Sequence, residues 1–159
     1  MSTIDGLPAH ILLVHLVVVF VPLTALALIV CALSPAVARR AGLLLPLLAF
    51  VTLVSVPLTT DAGEWLEQKV ESTALVREHT ELGDGLLPWA AGLFLLAVLV
   101  WWFTRRASTR RISGAVRIGA TVLCAVVAVG AVVDVYRIGD SGAKAAWQDA
   151  LTHSSGDGH

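Results

Sequence analysis

Seven of the nine arginines of this chain fall in two clusters that contain no acid, and each cluster stands between two long apolar runs. Arg39 and Arg40 form the first; Arg105, Arg106, Arg110, Arg111 and Arg117 form the second. All 12 Asp and Glu, from Asp5 to Asp157, lie in the other segments, as do all 5 His. The remaining bases, Lys69, Arg77, Arg137 and Lys144, are interspersed with those acids. A soluble protein mixes both signs over one continuous surface. Separation into alternating connections is what a bilayer produces, with Lys and Arg retained in short cytoplasmic loops.

The composition agrees. Of 159 residues, 57% are hydrophobic and 14% charged, where a soluble domain carries about 25% charged residues. The net charge of -1 sums two faces of opposite sign. One all-α membrane domain over residues 1–142 is expected, a bundle of four transmembrane helices, with a polar tail over 143–159. The spans are read as 7–33, 42–60, 72–103 and 118–136. Each exceeds or approaches the ~20 residues that cover ~30 Å of hydrocarbon. Pro8 suits a first helical turn, and Ser34-Pro35 closes the first run. Pro46 and Pro57 are expected to bend the second helix. The start MSTIDGLPAH has no Lys or Arg, so it lacks the basic region of a signal peptide, and the first run is expected to be retained.

The arginine clusters assign the first-to-second and third-to-fourth connections to the cytoplasm, leaving both termini and the acidic 61–84 connection outside. Trp101 and Trp102 beside the inner arginines, with Trp89 and Tyr136 near the outer ends, fit interfacial belts. A multi-pass protein of the inner (cytoplasmic) membrane is expected. Ala62, Trp65, Leu66, Lys69 and Val70 recur at helical spacing and predict a short helix on the membrane surface. Leu75, His79, Leu82 and Leu86 form a second stripe that runs into the third span, so that helix is extended to about Ser72 and His79 is turned toward the bundle. Lys144 to Leu151 is expected to form a separate short helix through Trp147. Cys31 and Cys124 read as small buried hydrophobes.

The histidines carry the chemistry. His15 lies about 12 Å along the first helix, where an ionisable group normally faces the bundle interior and needs a partner. A neutral imidazole there offers one lone pair to a metal or haem iron; a hydrogen bond to a backbone carbonyl is the plainer use of the same ring. His10 lies ~140° around the helix from His15 and is expected at the water boundary. His153 and His159 belong to the polar tail. Asp134 and Arg137 read either as an i,i+3 pair or, with Tyr136, as a seat for a carboxylate such as a cofactor's propionate. Asp61 and Glu64 read as solvated charges or as groups that orient a ligating histidine.

His10-Ile-Leu-Leu-Val-His15 resembles the opening of a bacterial membrane family, domain of unknown function 2231, although Ile11, Leu16 and Val17 stand where members carry Pro, Phe and Pro. The 60–66 segment with Gly63 and Trp65 is similar to that family's Gly-plus-aromatic signature. His79 matches the histidine that opens its third helix, and Val135-Tyr136-Arg137-Ile138-Gly139 is similar to its closing motif. The resemblance spans Leu7 to Gly142 and implies four transmembrane helices. It also extends distantly to cytochrome b-type bundles, in which histidines of two helices hold haem b.

Three functions follow as expectations. The first is one haem b near the outer face, with His15 and His79 as axial ligands and Arg137 and Tyr136 by the propionates, acting in electron transfer with a redox partner. His79 lies ~10 Å outside Leu86 along its helix, and in that case His10 and His79 are the nearer pair. The second is a divalent metal held by His10 or His15, by His79 and by carboxylates such as Glu78 or Asp134. The third is an accessory subunit of a larger membrane complex, packed through Gly119, Ala120, Ala125, Ala128, Gly130 and Ala131. Walker, Rossmann, His-Glu-x-x-His, nucleophile-elbow and paired-Cys patterns are missing, so enzyme activity is not expected. The 105–117 loop is too short and too near the bilayer for nucleic acid; orientation and anionic lipid explain it. Reporter fusions in the 61–84 connection are expected to read as external and fusions in the 105–117 loop as cytoplasmic. The reverse pattern would sink the orientation.

Overall fold

In a computed structural model the chain is a bundle of long helices; it describes all residues except 1–2, 5–6, 69–72, 107–112 and 157–159. A two-residue antiparallel pairing of Thr3–Ile4 with Leu7–Pro8 leads into the first helix. The helices are α1 (Ala9–Leu33), α2 (Pro35–Ala41), α3 (Leu44–Glu67), α4 (Ala74–Arg106) and α5 (Gly114–Gly156). Four of them, all but α2, are long and apolar enough to cross a membrane. Each long helix packs against two neighbours, in the ring order α1–α3–α4–α5.

The packing is that of a protein dissolved in lipid. Small and medium side chains fill the interior: Val21, Ala25, Leu28, Ala49, Val56, Leu93, Ala97, Ala128 and Ala131 are all buried. Cys31 and Cys124 join them as free thiols. The large apolar side chains point outward instead, with Val19, Leu26, Leu44, Leu95 and Ile118 each 61% or more exposed. Water would penalise that surface heavily; hydrocarbon does not. Interhelical contact then depends on close approach and on hydrogen bonds between hydroxyls. Thr24 and Thr52 supply one, Oγ1 to Oγ1 at 2.7 Å, fully buried between α1 and α3. Thr52 in turn donates to the Leu48 carbonyl at 2.9 Å.

The helix ends follow local chemistry. Ser34 caps α2, accepting from the Val37 N–H, with Pro35 in the first turn; Gly42 ends it at φ +53°. Thr73 accepts from the Val76 N–H at 3.3 Å where α4 begins, so this helix starts at Ala74 and the expected start at Ser72 lies outside the described residues. Pro22, Pro57 and Pro88 lie within helices that continue through them.

Two expected boundaries are overturned. The segment after the second span is no separate surface helix: α3 runs on without a break through Gly63 to Glu67, and the apolar stripe from Ala62 is its own continuation. Of that stripe, Lys69 and Val70 lie outside the described residues. The fourth span is not followed by a second short helix either. Helix α5 runs for 43 residues, about 65 Å at 1.5 Å each, so it extends well past the bilayer. Gly139 and Gly142 look like breaks in one dimension, yet Ser141 Oγ donates to the Ile138 carbonyl at 2.9 Å and Lys144 pairs with Asp140 at 2.7 Å across the same turns.

Gly130 marks the tightest approach of α4 and α5, because a Cβ built there overlaps the Trp89 ring. Gly130→Ala is expected to lower stability in detergent by about 1–3 kcal/mol, the usual range for overpacking. Gly119→Ala, which meets nothing within 4 Å, should leave the thermal midpoint unchanged or slightly raised. Equal midpoints for the two variants would contradict this α4–α5 contact.

Candidate functional site

At the end of the bundle away from the arginine clusters, the four long helices part around a cavity of about 820 Å³. Its walls are mainly apolar, with Val14 and Val17 of α1, Val56 of α3, Leu86 of α4, and Val135 and Ile138 of α5. Two imidazoles line it, edge to face. His10, in the first turn of α1, and His79, in the second turn of α4, have ring centres 6.3 Å apart and planes at 88°.

Each ring is anchored by a helix other than its own. His10 Nδ1 lies 3.1 Å from the Thr59 carbonyl of α3. His79 Nδ1 lies 3.1 Å from the Ile138 carbonyl and 3.0 Å from Ser141 Oγ, both on α5. A carbonyl only accepts, so in both rings Nδ1 carries the proton and donates it. Nε2 of each ring is left with its lone pair. A backbone carbonyl on Nδ1–H is the usual device that orients a metal-binding histidine and raises its basicity.

Two glycines give the rings room. A Cβ on Gly63 would stand 3.1 Å from His10 Cε1, and a Cβ on Gly142 would stand 3.0 Å from His79 Cε1. All four long helices therefore share in the site: α1 and α4 present the imidazoles, while α3 and α5 present a carbonyl and a glycine to each.

The other expected site residues are placed differently. His15 is exposed, not interior; it reaches the cavity only from its wall, five residues beyond His10 on α1. Burial of the first helix follows Val17, Val21 and Leu28, and His15 falls off that face. Tyr136, 75% exposed, and Arg137 lie outside the cavity. Val135, Ile138, Gly139 and Gly142 face inward at helical spacing, which turns residues 136 and 137 outward. Glu78 is exposed and does not line the cavity. Asp134 is half-buried toward Gly85, outside the lining, and its Oδ2 has no hydrogen-bond partner among the described residues. The side chains of His153 and His159 lie outside the described part. Glu64, Glu67 and Asp84 contribute to the lining and no Lys or Arg does, among the described residues. No group of three His, Cys, Asp or Glu able to hold a metal ion occurs among the described residues.

Sequence reasoning passed over Thr59, Ser141 and Gly142. A glycine level with a histidine on the facing helix was the available signal, and it is visible only once the helix pairing is known.

The family described as "Predicted membrane protein (DUF2231)" matches residues 6–155, and the chain belongs to that family. No curated protein and no solved structure matches it.

In protein labelled with 15N-histidine at mildly alkaline pH, the resonances of His10 and His79 should show protonated Nδ1 and bare Nε2. Gly63→Ala should displace the His10 signals and Gly142→Ala those of His79. Gly139→Ala, which meets nothing within 4 Å, should displace neither. An Nε2–H tautomer at either ring would contradict the anchoring described.

Proposed function

We propose that this DUF2231 membrane protein holds a metal centre between the imidazoles of His10 and His79, that haem b is its form, and that the protein transfers electrons at one face of the cytoplasmic membrane. The observation that carries this reading is the spacing of the two rings. With metal–imidazole bonds of about 2.0–2.1 Å, rings on opposite sides of one ion have centres about 6.4 Å apart. The observed separation is 6.3 Å, and both Nδ1–H groups are already committed to carbonyls.

The donor set favours a macrocycle over a bare ion. A divalent ion such as zinc takes three or four protein ligands, and no such group occurs among the described residues. That weighs against the divalent-metal alternative. Haem brings its own four nitrogens and needs two axial donors. Were haem bound, His10 and His79 would hold it and would leave no open position for oxygen, which would suit electron transfer.

The chain's own residues tune such a site. The apolar wall excludes water, and Glu64, Glu67 and Asp84 add negative charge. That charge favours the oxidised state of a metal centre and turns a cofactor's carboxylates away from the cavity. The positive-inside rule puts the histidine end outside and the arginine clusters in the cytoplasm. A single centre at one rim does not carry charge across the bilayer, so the electron partner belongs on that same side.

Full-length protein expressed with ample haem and purified in detergent should show a Soret band of a six-coordinate haem at about one per chain. His10→Ala and His79→Ala should each abolish that spectrum, whereas His15→Ala and Arg137→Gln should retain it. Wild-type protein without a Soret band, or a His79→Ala variant with the full spectrum, would refute the haem assignment. Elemental analysis of the same sample reads out the divalent-metal alternative.

A further inference from the structure

The opposite end of the bundle holds a second, chemically different recess. It measures about 270 Å³ and lies between α2, the turn at Gly42 and the last turns of α4. Arg39, Arg105, Trp101 and Thr104 contribute to its lining. Arg105 is held at the wall by its stack on the Trp101 ring, guanidinium carbon to ring centre 5.3 Å.

The charge around the recess points to an anion. The sequence holds no Asp or Glu over residues 6–60 or 85–133, so no carboxylate on the helices that build the recess stands on this half of the molecule. Two guanidinium groups beside a threonine hydroxyl are the complement of a phosphate. The site lies at the end of membrane-crossing helices, where Arg106 also stacks on Trp102 at 4.0 Å, the aromatic and basic pairing expected at headgroup depth.

We infer that this recess binds the phosphate of an anionic phospholipid headgroup, which clamps the α2 turn to the end of α4. The lipid is the committed source, because free phosphate has no tail to gain from the apolar helix faces beside the site. Occupancy is independent of whether the histidine site holds a metal.

Native mass spectrometry of the full-length protein, delipidated in detergent and titrated with phosphatidylglycerol, phosphatidylcholine or inorganic phosphate, tests this. Wild type should retain one phosphatidylglycerol, in preference to phosphatidylcholine, with inorganic phosphate failing to compete. The Arg39→Gln/Arg105→Gln pair should weaken phosphatidylglycerol about 30-fold, about fivefold for each basic residue. Arg40→Gln/Arg117→Gln removes the same charge outside the recess and should leave the bound lipid in place. Equal losses in the two double variants would overturn the site in favour of a diffuse field. Equal retention of phosphatidylcholine would overturn the headgroup selection, and competition by inorganic phosphate would overturn the lipid as source. An unchanged helical circular dichroism spectrum for both double variants keeps a folding defect from passing as lost binding.

Discussion

Hydrocarbon offers no hydrogen bonds, so a polar side chain that enters this bundle is costly unless another helix or its own backbone meets it. That constraint organises the interior. Thr24 and Thr52 close on each other. Ser55 and Thr59 return their hydroxyls to carbonyls one turn back in α3. The imidazoles of His10 and His79, too large to turn back on their own helices, reach to carbonyls on α3 and α5. The same requirement that satisfies these rings also fixes their orientation. The histidine anchors also tie α1 to α3 and α4 to α5.

The molecule is polarised along its helices. One end carries imidazoles, hydroxyls and carboxylates around an apolar cavity. The other carries arginines stacked on tryptophans. Neither end repeats the other's chemistry, and the middle is sealed by alanine, valine, leucine and two buried thiols. Polarity of this kind suits a protein that works at one membrane face and is held in orientation by the other. Helices α4 and α5 also outlast the bilayer by several turns, which builds the wall of the histidine cavity beyond the level at which short spans would stop. His79 depends on that extension, since its carbonyl partner, Ile138, and Ser141 lie beyond the apolar part of α5.

Much of this was legible in one dimension, because charge and hydropathy respond to the solvent and the solvent here is lipid. Four apolar runs, the two arginine clusters and the tryptophans at their edges determined the number of spans and the membrane class. His79's inward position followed from a stripe, Leu75, His79, Leu82 and Leu86, which belongs to a single helix and so needs no knowledge of neighbours. The family match over residues 6–155 accords with the same reading.

Helix pairing decided the rest. Whether His10 or His15 faces His79 depends on the rotation of α1 about its axis, and apolar residues surround both, so no stripe distinguishes them. Packing of Val17, Val21 and Leu28 into the core sets that rotation and leaves His15 exposed. Tyr136 and Arg137 fall outside the cavity lining for the same reason, one turn of α5 placing Val135 and Ile138 inward. Gly63 and Gly142 are spaces for rings carried by other helices. A sequence determines which solvent each segment prefers; which side chains meet across the bundle is set by helix rotation and depth, and those exist only when four helices share one interior.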